Sequence, residues 1–498
     1  MILEILGLFF GRYSRRGWYF ADRGESHRRY GPIWAIVTPR DVYVNFADPE
    51  AIHDIFQRRT DFIRPSHLYK VLEVYGPCIS TASWTDWPRH RKVLATPFNE
   101  SVMSFVWDES VEQTRQMLEA WDGAAEGQIA SVAKDTRTLS LNVLAATGFR
   151  KSFPFQSAND HPVAQEPHST PRKEDADSPV ASAGYRDALQ TVLDNCIFLM
   201  VLGRKWLALP FAPQSWRQIA KAADYFQRYM VRMLDEETKA LNYGQAGSGG
   251  LMTSFVRAMD LKQKADAEGG TAASGSPPKG LTVDEIFGNI FVINFAGHKT
   301  TANTLCLWLT PAGGIFRKIK NRYADLFPRL RRCRAILLET LRLFPPIQSL
   351  PKRTSSEPQC LQVGGRTIVV PNDIGVHPSL LTMHINAHYW SEPMAWKPSR
   401  WITVAEASER VITPARSSFL PWSDGPQNCP GNKFSQVEFV AIMATLLRAH
   451  RIDAIAKPGE SFRESQARVL ATTQDVDMQL LLRMKDADRV RMVVHRVA

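Results

Sequence analysis

Hydrophobic residues follow a helical spacing over two long stretches, from about 87 to 150 and from 183 to 260. Residues three and four apart share one face of a helix, so this spacing predicts helices with one buried side. Residues 31–47 differ, because two short β-prone runs flank a Pro-Arg-Asp turn and predict a hairpin. Asp48 and Pro49 then predict the start of a helix. The pattern favours a mainly α fold with small β-sheets.

Two segments interrupt the helical pattern, at 151–181 and 262–280. The first is rich in Pro, Ser, His and charge, and the second in Gly, Ala, Ser and charge, so neither can bury a useful apolar surface. We predict that both are mobile surface loops. A chain of 498 residues exceeds the size at which one core stops growing. Two or more domains would be the default for this length. We expect instead that residues 17–498 form a single large helical domain around a cofactor.

Composition and charge narrow the choice of partners. The formal net charge is +11, which suits an acidic partner, an anionic membrane surface or nucleic acid, or simply a solvated basic surface. No motif for binding DNA or RNA accompanies the charge, so we expect no nucleic acid. The six cysteines lack CxxC spacing, which argues against a disulfide framework and a structural zinc site. Reduced thiols facing the cytosol fit better.

Residues 1–16 form a short apolar segment with a basic flank. Ten mostly apolar residues precede Arg12, Arg15 and Arg16. As a helix, ten residues span roughly 15 Å, about half of a bilayer core. We predict a truncated membrane anchor or an interfacial segment, with packing on the protein as the alternative. No other stretch reaches 18 apolar residues.

The strongest chemical signal is the segment 419–431, which is rich in turn-forming residues and leads directly into a helical stripe from Asn432. Cys429 therefore lies on a Gly/Pro loop just before a helix. Backbone N–H groups and the positive end of the helix dipole favour the thiolate there. Such a thiolate can ligate iron. The alternative, a buried inert cysteine, is disfavoured by the surrounding glycines.

Two further motifs precede this loop. Glu339 and Arg342 share one face of an apolar helix that ends at Pro345, and Arg400 follows some 60 residues later. Alone, Glu-x-x-Arg is usually a surface ion pair. Upstream, an apolar run of roughly 27 residues begins at a capping box and ends at Leu309.

The centre of that long helix reads Ala-Gly-His-Lys-Thr-Thr, from 296 to 301. Small residues such as Gly297 let the backbone approach a flat macrocycle. A threonine hydroxyl can bond to the carbonyl four residues earlier, bend the helix and open a niche for oxygen or water. An ordinary core helix is the alternative.

Together these segments resemble the cytochrome P-450 family. The cysteine loop is similar to the family's heme-binding pattern Phe-x-x-Gly-x-Arg-x-Cys-x-Gly, with Gly425, Cys429 and Gly431 in matching positions. Trp422 replaces the Phe and Gln427 replaces the Arg. The resemblance implies that Cys429 ligates the iron and that Gln427 donates a hydrogen bond to a heme propionate without a charge.

The other motifs also have counterparts in that family. Glu339, Arg342 and Arg400 resemble its buried Glu-Arg-Arg lock, which implies a structural role in holding the cysteine loop. Trp87 and Arg91 resemble its propionate-binding Trp-x-x-x-Arg.

Residues 296–301 resemble the family's oxygen groove, Ala-Gly-x-(Asp/Glu)-Thr-(Thr/Ser), but Lys299 stands where the acid should be. In the family an acid–alcohol pair relays protons to oxygen, so the resemblance implies that Thr300 and ordered water sustain a slower turnover here. Lys299 could contribute if burial lowered its pKa, or its stem could carry the charge to solvent.

The resemblance implies a cytochrome P-450 fold that encloses heme b in a single large domain. Implied partners are O2, a small apolar substrate and an NADPH-cytochrome P-450 reductase. The fungal membrane-associated branch looks closest, at the cytosolic face of the endoplasmic reticulum. A lipid-like substrate or secondary metabolite would lie between the Thr300 helix and segments 60–80, 185–260 and 345–376. Two alternatives stay open: a heme-thiolate isomerase or dehydratase, and an impaired heme-binding paralogue. Lys299, Gln427 and a very basic segment at 310–334 suggest the latter.

Overall fold

The computed structural model describes residues 11–129, 131–158, 179–245, 247, 249–267, 279–309, 323–405, 408–412, 414, 417–478 and 480–497. Within these ranges most regular structure is α-helix and the strands form small sheets. The predicted fold class, mainly α with small β-sheets, is confirmed. The predictions for residues 1–10, for 159–178 and 268–278 of the two loops, and for 310–322 of the basic segment lie outside the described residues.

The helices of the described chain are α1 Gly11–Ser14, α2 Trp18–Asp22, α3 Glu25–Tyr30, α4 Pro49–Gln57, α5 Ser66–Tyr69, α6 Trp87–Ala95, α7 Glu100–Asp122, α8 Val132–Phe149, α9 Pro179–Asp194, α10 Cys196–Leu207, α11 Gln214–Asn242, α12 Gly250–Ala267, α13 Val283–Leu309, α14 Tyr323–Leu326, α15 Arg331–Leu343, α16 Leu380–His384, α17 Asn432–Leu446 and α18 Phe462–Gln474. None of these helices is long and apolar enough to cross a membrane.

The strands of the described chain are β1 Ile33–Val37, β2 Val42–Phe46, β3 Phe62–Ile63, β4 Gln128–Ile129, β5 Lys352–Thr354, β6 Gln359–Val363, β7 Arg366–Val370, β8 Gly375–Pro378, β9 Ile402–Ala405, β10 Ser408–Val411, β11 His450–Ala454, β12 Val476–Met478, β13 Leu482–Met484 and β14 Met492–Arg496. They form a five-stranded sheet in the order β1-β2-β8-β5-β3 and a three-stranded sheet in the order β11-β14-β4. The remaining strands pair as β9 with β10, β12 with β13 and β6 with β7.

The chain divides into two compact units, and the first comprises Met1–Pro65, Met117–Arg137 and Thr300–Ala498. It contains all of the sheets formed by the described residues. Its main apolar cluster packs α4 and α16 against strands of the five-stranded sheet and the β6–β7 hairpin, around buried Phe46, Phe56 and Phe62. A smaller cluster joins Trp390 and Trp401 to α15. This unit carries the cysteine loop.

The second unit comprises Ser66–Gln116 and Thr138–Lys299. It is built from helices, and its core joins α9, α10, α11, α12 and the first part of α13. Aromatic rings fill the centre, with Tyr185 stacked on Tyr229 at 4.1 Å between ring centroids. The prediction that residues 17–498 form one domain stays a prediction.

Several local predictions are confirmed in detail. The hairpin forms as β1 and β2, which pair antiparallel from Ile33 to Phe46. The Asp48 side chain accepts a hydrogen bond from the backbone N–H of Ala51 at 2.9 Å, which caps α4. At the start of α13, Thr282 and Glu285 form the reciprocal capping box.

Two loop boundaries were predicted wrongly. Helix α12 continues to Ala267, so residues 262–267 are helical. Helix α9 begins at Pro179, so the end of the segment 151–181 is helical as well. The charged side chains of Lys262 and Asp266 pair across one turn at 2.5 Å, so polar composition there reflects a solvated helix face and not a loop.

Candidate active site

The cysteine loop presents its thiol at the surface of the first unit. Cys429 is exposed, whereas four other cysteines are buried: Cys78, Cys196, Cys306 and Cys333. Burial raises the pKa of Cys306 and Cys333 to about 12, which keeps those thiols neutral. Cys429 lies on a turn two residues before Gly431, the N-cap of α17.

Hydrogen bonds within the loop fix its shape. The backbone N–H of Cys429 donates to the carbonyl of Trp422 at 2.9 Å, and that of Asn428 donates to Gly425 at 3.2 Å. The indole N–H of Trp422 donates to the Ser435 hydroxyl at 3.0 Å, which joins the loop to the first turn of α17. These bonds fix the backbone of the loop around Cys429 and its connection to α17.

Gly425 satisfies a requirement that other residues cannot meet. Its φ is +67°, in the left-handed region, and a Cβ at this position would lie 2.3 Å from the carbonyl oxygen of Phe56 in α4. The neighbouring Asp424 carboxylate contacts His53 of the same helix. The loop is therefore seated closely on α4.

The three side chains of the predicted lock contact one another, and Arg400 keeps a side-chain exposure of 10%. Glu339 accepts two hydrogen bonds from Arg342, at 2.8 and 2.9 Å, and one from Arg400 at 3.1 Å. The side chains of Glu339 and Arg342 have no solvent exposure. Burial alone would raise the pKa of Glu339, but the hydrogen bonds and charge of Arg342 hold it below the ordinary value. The indole N–H of Trp401 adds a further bond at 2.9 Å.

Arg342 connects this lock to the chain that leads into the cysteine loop. Its guanidinium donates to the carbonyls of His384 at 2.9 Å, Pro393 at 2.6 Å and Ala395 at 3.0 Å. The His384 ring accepts a hydrogen bond from the backbone N–H of Leu420 at 3.0 Å. Burial, and then the charge of Arg342, lowers the pKa of His384 to about 3, so the ring is neutral and able to accept.

Sequence reasoning missed His384, because a single histidine without a motif is indistinguishable from an ordinary core residue. It also missed Lys352, at the start of β5. The ammonium of Lys352 donates to the side-chain oxygen of Gln427 at 2.8 Å. Lys352 is only 5% exposed, and burial, followed by the charge of Arg64, lowers its pKa to about 7. A basic side chain, Lys352, therefore adjoins Gln427, which stands where the resembling pattern has an arginine.

The centre of α13 contains the predicted oxygen-groove residues. The Thr304 hydroxyl donates to the Thr300 carbonyl at 2.8 Å, a bond that competes with the helical pattern. A Cβ at Gly297 would lie 3.0 Å from the Leu144 side chain of α8. A larger residue at 297 would therefore require the Leu144 side chain to move.

Lys299 points to neighbouring helices in the second unit. Its ammonium donates to the backbone carbonyl of Leu193 and lies 3.8 Å from the sulfur of Cys196. The ammonium is thus bound to groups of the second unit, in contrast to the alternative in which the stem carries the charge into solvent.

Helix α6 carries Trp87 and Arg91 in the second unit. Trp87 is 5% exposed, and its ring stacks on Trp84 at 5.9 Å. The adjacent Arg89 donates to Glu285 of α13 at 2.7 Å. Burial would raise the pKa of Glu285, but hydrogen bonds from its partners hold it well below the ordinary value. This ion pair anchors α6 to the start of α13.

The family model, the relatives and the solved structures that match this chain all concern one protein family. The model of the family described as Cytochrome P-450 matches residues 5–311 and 317–479. A cytochrome P-450 monooxygenase of Arthrobotrys oligospora is 27% identical and aligns over 97% of this chain and 87% of its own. A second, from Penicillium rubens, is 27% identical over 89% and 79%.

A third relative is named a phomenoic acid biosynthesis cluster cytochrome P-450 monooxygenase and comes from Leptosphaeria maculans. It is 25% identical over 86% of this chain and 77% of its own. Among solved structures, the heme domain of cytochrome P-450 DA superposes with a TM-score of 0.69 over 98% of this chain and 95% of that chain, at 14% identity. The structural match concerns the fold.

Proposed function

The chain belongs to the cytochrome P-450 family, and on that premise we propose that it is a heme-thiolate monooxygenase with Cys429 as the protein ligand of the heme iron. The observation that carries the proposal is the exposed thiol of Cys429 on a backbone-ordered turn before α17. A thiolate at this point would face iron with the stabilisation that a helix N-terminus gives to an anion. Heme bound in this way supplies oxygen activation.

The residues beside the loop fit an anionic porphyrin. Lys352 is buried, and its positive charge is disfavoured by burial and then by the charge of Arg64. A carboxylate of heme b would compensate that charge, with Gln427 donating its amide N–H to the same group. Trp87 and Arg91 are proposed for a propionate on the grounds of their motif.

The lock has a positioning role in this proposal. Glu339, Arg342 and Arg400 hold the chain segment 384–400 that precedes the cysteine loop. His384 then passes this constraint to the loop through the Leu420 N–H. The position of the cysteine loop, and with it the Cys429 sulfur that would hold the heme, would thereby be kept fixed.

Proton delivery is proposed for Thr300, whose hydroxyl can hold and pass a proton together with ordered water. Lys299 adjoins it and stands where the family has an acid, but its ammonium is bound to the Leu193 carbonyl. In this proposal Thr300 and ordered water transfer the proton, and Lys299 is not needed as a donor.

The substrate and partners are proposed from composition and relatives. An apolar, lipid-like substrate or secondary metabolite is supported by the name of the Leptosphaeria relative. Electrons would come from NADPH through an acidic flavoprotein reductase, which the net charge of +11 would attract. We propose the cytosolic face of the endoplasmic reticulum membrane as the location.

The proposal is tested in a host that supplies an NADPH-dependent reductase, under 18O2. Extracts from cells with the wild-type chain should contain a product with one labelled oxygen atom that is missing with Cys429→Ala. A product without label, formed independently of NADPH, would contradict it.

One observation favours a second candidate. A heme-thiolate isomerase or dehydratase needs no protons at oxygen, so it tolerates the replacement of the groove acid by Lys299. Such an enzyme would convert a peroxide substrate without NADPH. Supplying a fatty acid hydroperoxide to the purified protein distinguishes the two, because only the isomerase or dehydratase gives an isomeric or dehydrated product from it.

A further inference from the structure

The helical path between α9 and α10 is broken at Asn195. Its φ of −105° and ψ of 18° depart from helical values. The last carbonyls of a helix lack donors from the next turn and need other partners. At this break the ammonium of Lys299 donates to the carbonyl of Leu193. A cation at this position also opposes the negative end of the α9 dipole.

The second contact of the ammonium is weaker. Cys196 begins α10, is 3% exposed and lies with its sulfur 3.8 Å from the Lys299 nitrogen. Burial raises the pKa of the Cys196 thiol, so the thiol is neutral and a poor acceptor. The carbonyl of Leu193 is therefore the contact that holds the lysine.

We propose that Lys299 is a positioning residue, which ties the oxygen-groove helix α13 to the break between α9 and α10. The side chain that replaces the family's acid thus joins two elements of the second unit. The break belongs to the stretch 185–260 that is predicted to line the substrate space, and Thr300 adjoins the lysine. Movement of the substrate-lining segment and the shape of the groove would then be coupled through one hydrogen bond. The functional part of this inference rests on the proposed monooxygenase function.

Hydrogen exchange of the ferrous CO-bound holoprotein tests the tie. The Leu199 amide, which donates to Asn195 at 3.3 Å, reports on the start of α10. Lys299→Met keeps the apolar stem and removes the donor. Loss of one charge-assisted hydrogen bond should speed exchange at residues 197–200 by about tenfold. Lys299→Arg can still reach the carbonyl and should restore exchange to within about threefold of wild type.

A second readout separates positioning from proton supply. CO binding consumes no proton. If Lys299 acted only as a proton donor, its replacement would therefore leave the CO association rate after flash photolysis unchanged. The tie predicts faster association in Lys299→Met and a return toward wild type in Lys299→Arg. Lys299→Gln, which also lacks the ammonium, should behave as Lys299→Met and serves if that variant does not fold.

Two controls complete the experiment. Cys196→Ala removes only the weak contact and should change exchange by less than about twofold. Lys239→Met alters an exposed lysine of α11 that pairs with Asp235 and should have no effect. Unchanged exchange and CO association in Lys299→Met, or failure of Lys299→Arg to restore them, would overturn the proposal. The red-shifted Soret band of the same CO complexes tests thiolate ligation independently, so failure of the proposed function is recognised separately.

Discussion

Replacing Lys352 by methionine should weaken heme binding through the loss of one charge. The substitution preserves the buried apolar stem, whose ammonium lies 5.8 Å from the centroid of the Phe56 ring, and removes the donor to Gln427. A hydrogen bond to a charged group contributes about 1.5–3 kcal/mol. Since about 1.4 kcal/mol corresponds to a factor of ten, the dissociation constant for heme should rise roughly 10- to 150-fold.

The assay is a titration of the apoprotein with hemin and with hemin dimethyl ester, which lacks the carboxylates. Lys352→Met should lose affinity for hemin and change little toward the ester. Adding Gln427→Arg to Lys352→Met should recover most of the hemin affinity, because it returns a cation to the loop. An equal loss for both ligands would show a packing effect and refute the reasoning.

The pH dependence of the same titration provides an independent check. Without heme, Lys352 has a pKa of about 7, because burial and then Arg64 disfavour its charged form. A bound carboxylate favours that form and raises the pKa. Below pH 7 the lysine is charged in both states, and above it heme binding must take up a proton. Hemin affinity should therefore fall as pH rises above about 7. Lys352→Arg should remove this decline, because its charge persists.

Three further substitutions test the support of the cysteine loop. Glu339→Gln leaves Arg342 buried without its counter-charge and should lower the free energy of unfolding in urea by about 3–5 kcal/mol; a loss below about 1 kcal/mol would contradict a buried lock. His384 has a pKa of about 3, below its ordinary 6.5, so the unfolded chain binds a proton between these values that the folded chain does not. Stability should therefore fall by about 2 kcal/mol from this residue between pH 7 and pH 5, and the slope should be smaller in His384→Gln; equal slopes would be inconsistent with a neutral ring. Gly425→Ala places a Cβ 2.3 Å from the Phe56 carbonyl at a φ of +67° and should reduce the thiolate-ligated fraction in the reduced CO spectrum; a full fraction would argue against close seating.

Glu357→Gln is a matched control for the first of these substitutions. Glu357 is exposed, in contrast to fully buried Glu339. The same chemical change there should alter the unfolding free energy by no more than about 0.5 kcal/mol.

Motifs formed by residues that are close together in the chain could be predicted from the sequence. The Asp48 cap, the capping box at Thr282 and the glycine turn before α17 each depend on residues close in the chain. The contacts among Glu339, Arg342 and Arg400 could also be predicted. Glu339 and Arg342 share a helix face, and Arg400 lies in a segment that resembles the family's third lock motif.

Contacts between distant residues without a motif could not be predicted. Lys352 and Gln427 are 75 positions apart, and nothing in either segment indicates that the sheet brings them together. Similarly, the 106 positions between Leu193 and Lys299 conceal a contact that changes the interpretation of the lysine. The helical residues 262–267 were missed because a solvated helix face and a polar loop have similar compositions.

The bond between Cys429 sulfur and heme iron is tested most directly by spectroscopy of the purified protein reconstituted with hemin. Electron paramagnetic resonance of the ferric form and absorbance of the reduced CO complex should both show axial thiolate, with the red-shifted Soret band lost in Cys429→Ser. A nitrogen or water ligand in well-folded wild-type protein, or a thiolate signature that persists in Cys429→Ser, would contradict the account.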